Sequence, residues 1–82
     1  MPAVEMPKSL YSPRYQKFRE LLIKRRGEAG LTQVALAMRL SKPQSFVAKY
    51  EKGERRLDVM EFIEIAEAIG FDPVAAIGDL LS

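Results

Sequence analysis

The sequence predicts an all-α fold of five short helices in a single domain. Apolar residues recur at helical spacing along most of the chain, and no segment shows the alternation typical of a strand. The chain has 82 residues, which allows one domain, and 48% of them are hydrophobic, which makes a compact core feasible. We assign residues 13–82 to this domain and residues 1–12, which show no sustained period, to a flexible N-terminal arm.

The first helix begins at Pro13 and ends by Gly30. One face of this helix carries apolar residues in line with a single charged residue: Phe18, Leu22, Ala29 and Arg26. A guanidinium directed toward the core requires an anionic partner, because burying an unpaired charge is expensive. The candidate partner of Arg26 is Glu51, and the alternative is that the Arg26 side chain extends to solvent.

Two short helices follow, separated by a brief turn at residues 41–42. Thr32 is a good N-cap for the second helix, which we place from Gln33 to Leu40. The third helix runs from Pro43 to about Lys52, because proline suits the first turn of a helix, and Gly53 closes it in a left-handed conformation. Two helices joined by so short a turn must cross steeply, as they do in a helix-turn-helix.

Two more helices complete the expected fold. The fourth runs from about Val59 to Ile69, and it is preceded by Asp58, which forms a pattern similar to a capping box with Glu61. An Asp-Pro pair at residues 72–73 starts the fifth helix. The apolar residues of the fifth helix are Val74, Ile77, Leu80 and Leu81. These residues exceed what a minimal core needs, so they either complete the core or form an interface with another chain.

Charge is unevenly distributed along the chain, although the formal net charge is only +2. Every lysine and arginine precedes Leu57, and every charged residue after it is acidic. Such asymmetry is typical of a protein with a basic face toward a polyanion and an acidic end away from it. The alternative is that these charges belong to ordinary solvated faces.

The composition excludes several kinds of chemistry. The chain has no cysteine and no histidine, which excludes a disulfide scaffold, a Cys or His metal site and catalysis by either residue type. We therefore expect no enzymatic activity, no cofactor and no metal. No apolar run approaches the roughly 20 residues that span a bilayer, so we expect a soluble, cytoplasmic protein.

From about Phe18 to Leu80 the chain resembles the lambda-repressor-like helix-turn-helix family, of the Xre or Cro type. The resemblance is carried by three stretches, Leu31–Leu40, Lys42–Val47 and Lys49–Gly53. It implies a five-helix fold and a transcriptional regulator, in particular a repressor, that binds operator DNA. The family commonly pairs an arginine and a glutamate at the positions of Arg26 and Glu51. Ser41 stands where the family usually has glycine, and a positive φ there would cost some strain.

In such a protein the third helix enters the major groove with its N-terminal end first. The polar side chains suited to base edges there are Gln44, Ser45 and Lys49. Gln33 lies at the N-terminus of the second helix, where free N–H groups favour a phosphate, and in similar proteins this glutamine clamps the DNA backbone. Further candidates for phosphate contact are the basic residues that flank the third helix: Lys42, Lys52, Arg55 and Arg56.

Each of these assignments has a plain structural alternative. Gln33 could simply cap the second helix. The polar residues of the third helix and the basic residues that flank it could be solvated surface groups. Phe46 either touches a thymine methyl group or packs against the second helix.

We expect double-stranded DNA as the partner, with a palindromic operator and a homodimer, because one reading helix covers only a few base pairs. The candidate dimer interface comprises Ile77, Leu80 and Leu81. The alternative function is that of an antitoxin or protein-interaction module that binds a toxin or another protein through the C-terminal helices.

Overall fold

The computed structural model describes residues 12–82, which form five α-helices and no strand. The helices are α1 (Pro13–Glu28), α2 (Gln33–Leu40), α3 (Gln44–Lys52), α4 (Val59–Ile69) and α5 (Pro73–Leu81). The predicted all-α fold of five helices is confirmed. The predicted arm lies outside the described residues, apart from Ser12, which is the N-cap of α1.

Polar N-caps start four of the five helices: Ser12, Thr32, Asp58 and Asp72. Each cap accepts a hydrogen bond from a backbone N–H of the first turn, which satisfies a donor that the helix leaves free. Glu61 completes the capping box of α4, because its side chain accepts from the Asp58 N–H at 3.0 Å. In α3, Pro43 is the N-cap rather than the first helical residue, and it provides no side-chain hydrogen bond.

A left-handed residue closes the turn between α2 and α3. Ser41 has a φ of 56° and a ψ of 42°, the one positive φ outside glycine in residues 12–82. The Lys42 N–H donates to the Ala37 carbonyl at 3.0 Å, as in the usual left-handed helix ending. The strain that the sequence indicates at Ser41 is therefore present, because a side chain in this region crowds its own backbone.

The core lies between the first four helices, and its largest fully buried side chains are Leu22, Leu36, Val47, Tyr50 and Ile65. The apolar face predicted for α1 wrongly includes Ala29, which is exposed. The reason is that α1 ends at Glu28 and Ala29 is its C-cap. Leu22 and Val47 bring α1 and α3 together, so the core fixes the position of α3.

α5 packs against α1 and α4 but buries little of its apolar surface. Ala76 is its one buried residue, whereas Val74, Ile77 and Leu81 are 75%, 47% and 66% exposed. Most of the apolar residues of α5 therefore do not complete the core.

Between residues 12 and 82, the helices lack the combination of length and hydropathy that crossing a membrane requires.

Candidate nucleic-acid interface

α3 has one buried face and one polar face. Val47 and Tyr50 are almost inaccessible to solvent, at 0% and 1%, and they anchor the helix in the core. The three side chains predicted to address base edges are all exposed: Gln44, Ser45 and Lys49. The anchored face holds the helix against the core, and the polar side chains lie at the surface, where a ligand can reach them.

Arg26 of α1 and Glu51 of α3 form a two-pronged ion pair. The Arg26 Nε donates to Oε2 of Glu51 at 2.7 Å and Nη2 donates to Oε1 at 3.0 Å. The two side chains are 18% and 6% exposed, and Arg26 also donates to the Leu31 carbonyl at 2.9 Å. The hydrogen bonds to Glu51 raise the pKa of Arg26 despite its burial. The guanidinium therefore joins α1, α3 and the loop before α2.

A second arginine of α1 holds the same residue of α3 by its backbone. Arg19 Nη1 donates to the Glu51 carbonyl at 2.7 Å, which places a positive charge at the C-terminal end of α3. Gly53 follows this end with a φ of 84°, and a Cβ there would lie 3.1 Å from the Arg19 guanidinium. The left-handed backbone thus favours glycine at Gly53, and a side chain there would also make the Arg19 guanidinium shift by a few tenths of an ångström.

Gln33 and Gln44 contact each other across the helix-turn-helix. Gln44 Nε2 donates to Oε1 of Gln33 at 2.7 Å, and Gln33 Nε2 donates to Oε1 of Glu51 at 2.9 Å. Gln33 is half-buried, whereas Gln44 is exposed. The predicted capping role of Gln33 does not apply, since Thr32 caps α2. The first residue of α3 is instead held in a defined orientation by the first residue of α2.

Phe46 is buried, at 8% exposure, and its ring packs edge-on against Tyr50 with 5.5 Å between centroids. This burial favours the packing alternative over a contact between Phe46 and a thymine methyl group. Two predicted phosphate-binding residues lie over its ring, Lys42 with Nζ at 5.3 Å and Arg55 with Cζ at 4.9 Å. These cation–π contacts position both side chains beside the N-terminal half of α3.

Arg55 also forms an ion pair with Glu61, through hydrogen bonds of 3.0 and 2.7 Å. The pair lowers the pKa of Glu61, mainly through the hydrogen bonds from Arg55 and next through that from the Asp58 N–H. A carboxylate so close neutralises much of the charge of Arg55. Of the predicted phosphate-binding arginines, Arg55 is therefore the less available.

Arg56 and Lys52 are exposed. The Arg56 guanidinium lies 4.4 Å from the ring centroid of Tyr15, whose hydroxyl accepts from the Leu57 N–H at 3.3 Å. The ring of Tyr15 thus positions Arg56, and no carboxylate of residues 12–82 pairs with its guanidinium.

The helix-turn-helix family model matches residues 22–75, more than half of the chain. The chain belongs to the Xre-type helix-turn-helix family. A solved structure described as an XRE-family like protein from Pseudomonas syringae pv. tomato str. DC3000 is 49% identical and superposes with a TM-score of 0.84. The similarity covers 90% of this chain and 90% of that one. No curated protein matches the sequence.

This Xre-type protein is accordingly a DNA-binding regulator with a lambda-repressor-like fold. Its helix-turn-helix consists of α2 and α3, which pack against each other and lie within the matched residues. The arrangement places the predicted base-reading residues on α3 and the predicted phosphate-binding residues around it. The structure brings Arg26, Glu51, Gln33 and Gln44 into one hydrogen-bonded chain.

Two residues of this Xre-type site were not identified from the sequence. Arg19 lies seven residues before Arg26, two helical turns away on the same face, and this spacing is the signal that indicates its role. Glu61 was recognised as a helix cap, but its pairing with Arg55 was not expected. That pairing depends on the path of the loop after α3, for which the sequence carries no periodic signal.

Proposed function

We propose that the protein is a repressor that reads operator DNA in the major groove with α3. The observation that supports this proposal is the polar outer face of α3, where Gln44, Ser45 and Lys49 are exposed opposite an anchored apolar face. Glutamine pairs with adenine through two hydrogen bonds, lysine favours the guanine acceptors, and serine serves several bases. Gln44 and Ser45 also lie at the N-terminal end of the helix, which a reading helix inserts into the groove.

We assign contacts with the DNA backbone to the groups around this face. Lys42, Lys52 and Arg56 are exposed cations that attract phosphates without reading sequence. Gln33 donates one amide N–H to Glu51, and its second N–H is available to a phosphate at the N-terminus of α2. Arg55 contributes least to backbone binding, because Glu61 already pairs with its guanidinium.

A binding selection from a random DNA pool, followed by substitutions in α3 and around it, tests the reading role. Gln44→Ala or Lys49→Ala should cost about 1–3 kcal/mol on the selected site and relax the preference at one or two base pairs. The matched controls are Lys52→Ala and Arg56→Ala, which should weaken binding to the selected site and to random DNA alike. Each should also reduce the steepness with which log affinity falls against log salt concentration, by about one unit. If the α3 variants lose affinity equally for all sequences, α3 is not the reading element.

We expect repression when the protein occupies an operator within a promoter, because the bound protein excludes the polymerase from that promoter. A reporter gene whose promoter overlaps the selected sequence tests this part of the proposal. Expression should fall when the protein is induced and should be restored by Gln44→Ala. A rise in expression on induction would assign activation instead.

We infer that the protein binds a palindromic operator as a homodimer through α5. Of the predicted interface residues, Ile77 and Leu81 are exposed and Leu80 is half-buried, and the exposed Val74 adds to the apolar face that suits a second copy. Half-sites should then lie about 10 base pairs apart, or a multiple of that. Light scattering should give a dimer that Ile77→Asp converts to a monomer. A monomer that binds one unrepeated short site with full affinity would contradict this inference.

The second candidate function is that of an antitoxin or protein-interaction module. The same exposed face of α5 favours it, because the face suits a different protein as well as a second copy. Co-purification of a toxin whose binding is lost in Ile77→Asp, from a protein that is monomeric alone, would support this second function over the dimer.

A further inference from the structure

A chain of hydrogen bonds connects the two ends of α3 through α2. Gln44 at the start of α3 donates to Gln33, and Gln33 donates to Glu51 near the end of α3. Glu51 is 6% exposed, whereas Gln44 is open to solvent. A buried carboxylate is thus linked to an exposed side chain on the polar face of α3, and one amide lies between them.

The carboxylate at the buried end dictates the direction of every hydrogen bond in this chain. An ionised carboxylate only accepts, so Gln33 must turn its NH2 group toward Glu51. The carbonyl oxygen of Gln33 then faces Gln44, which must turn its own NH2 group toward Gln33. This order leaves the Gln44 carbonyl oxygen and its second N–H free at the outer surface.

Arg26 fixes the plane of the Glu51 carboxylate. Its guanidinium donates to both carboxylate oxygens, at 2.7 and 3.0 Å, and Oε1 accepts from Gln33 as well. Arg19 holds the backbone carbonyl of the same residue at 2.7 Å. The acceptor that orients Gln33 is therefore held from α1 at both its side chain and its backbone.

The free groups of an amide determine which base it matches. One acceptor beside one donor matches adenine, which offers the N6 amino group and N7. The reversed amide, which offers two donors, matches the two acceptors of guanine, N7 and O6. We propose that Glu51 determines the base preference of Gln44 from a distance, by setting the direction of its amide through Gln33. This inference rests on the proposed reading role of α3.

Glu51 is thus a positioning residue that selects adenine over guanine without touching DNA. With glutamine at position 51, the buried group offers an acceptor on one side and a donor on the other. Gln33 and Gln44 then adopt both directions whenever no phosphate holds the Gln33 NH2 group, and the preference is reduced. A purely structural role of Glu51 lowers the affinity for every sequence but leaves the ratio between adenine and guanine unchanged.

The test measures that ratio by competition between two operators that differ only at the base pair affected by Gln44→Ala, one with A·T and one with G·C. Gln33→Met removes the connecting amide, keeps the length of the side chain and leaves the Arg26–Glu51 pair in place. Glu51→Gln changes the acceptor itself. Each variant should reduce the preference for A·T by about tenfold. Gln16→Met, an exposed glutamine on α1, is the matched control and should leave the ratio unchanged.

A double variant tests transmission through Gln33. Glu51→Gln should have no further effect on the ratio when Gln33→Met is already present, whereas independent effects would multiply. If Glu51→Gln alone does not fold, the charge-free pair Arg26→Met with Glu51→Gln replaces it, because neutral replacement of a buried ion pair avoids an uncompensated charge.

Two outcomes overturn the inference and are distinguishable from each other. If Gln44→Ala loses the preference while Gln33→Met and the Glu51 variants keep it, α3 reads DNA but Glu51 does not direct it. If Gln44→Ala also keeps the preference at every base pair, the proposed reading role of Gln44 fails together with the inference.

Discussion

Two of the arginine–glutamate pairs within residues 12–82 have hydrogen bonds of the same length but different surroundings. Arg26 and Glu51 lie 2.7 and 3.0 Å apart and are 18% and 6% exposed. Arg55 and Glu61 also lie 2.7 and 3.0 Å apart, but they are 41% and 17% exposed. Water screens the second pair much more than the first. We therefore expect the two pairs to contribute differently to stability although their hydrogen bonds are equally long.

The two pairs also differ in what they connect. Arg26 and Glu51 are separated by 25 residues and join different helices, whereas Arg55 and Glu61 are separated by six and join a loop to the helix that follows it. Loss of one partner of the buried pair leaves a charge without compensation. Loss of one partner of the Arg55–Glu61 pair, the more exposed of the two, leaves a charge that water reaches and solvates. The following predictions measure this difference.

The largest effect should come from Glu51→Ala. Removal of one partner of a buried pair costs about 3–5 kcal/mol, because Arg26 is then left unpaired and Gln33 loses its acceptor. The free energy of unfolding in urea measures this loss. Glu54→Ala, at an exposed position in the following loop, is the control and should change little. An unchanged melting temperature in Glu51→Ala would contradict the stabilising role of the Arg26–Glu51 pair.

A smaller effect, about 1 kcal/mol, should come from Glu61→Ala, which removes a half-buried ion pair together with half of the capping box of α4. Glu61→Gln separates the two contributions, since glutamine at this position still accepts from the Asp58 N–H. Urea unfolding of both variants should show that Glu61→Gln retains part of the stability. A loss in Glu61→Ala as large as that in Glu51→Ala would remove the distinction between the pairs.

The exposed pair should also contribute a small pH dependence. The pKa of Glu61 is lowered in the folded state, so its stabilisation is fully present above the unfolded pKa of about 4.3. The stabilisation is lost as the pH falls from there through the lower pKa of the folded state. Melting temperatures between pH 7 and 3 should therefore decline less in Glu61→Gln than in the wild type. Parallel curves would show that the pair contributes nothing measurable.

The smallest effect should come from Tyr50→Phe, beside the buried pair. Among residues 12–82 the Tyr50 hydroxyl has no hydrogen-bond partner, and burial is the main cause of the raised pKa of this group. Its removal should leave stability unchanged or slightly higher, because no hydrogen bond is lost. Thermal unfolding tests this expectation. A loss above about 1 kcal/mol would indicate that the hydroxyl supports the Arg26–Glu51 pair.

Much of the fold was predictable because short polar caps mark the helix boundaries. Thr32 and Asp58 cap helices that begin where the sequence placed them, and Gly53 ends α3 as expected. The Arg26–Glu51 contact was proposed from one charged residue in an apolar row, because burial of a charge demands a partner. Local chemistry was sufficient for the helix boundaries and for the demand for an anionic partner, whereas the choice of Glu51 also relied on the pairing that is common in the family.

The remaining features depend on distances between elements, which local patterns do not encode. The contact of Gln33 with Gln44 requires the crossing of α2 and α3 to bring two polar groups within 2.7 Å. The burial of Phe46 depends on which side of α3 faces the core at its first turn. The exposure of α5 was undecided for a similar reason, since an apolar row does not say whether the same chain covers it.

Two arginines of α1 also determine which helices of the native state unfold together. Because Arg19 and Arg26 both hold Glu51, α1 and α3 should detach together, as one cooperative unit of hydrogen exchange. α5 buries a single residue and should open at a much lower free energy, well before the rest of the helices. The amide protons of α3 should therefore exchange only through global unfolding, so transient local opening leaves the polar face of this helix intact.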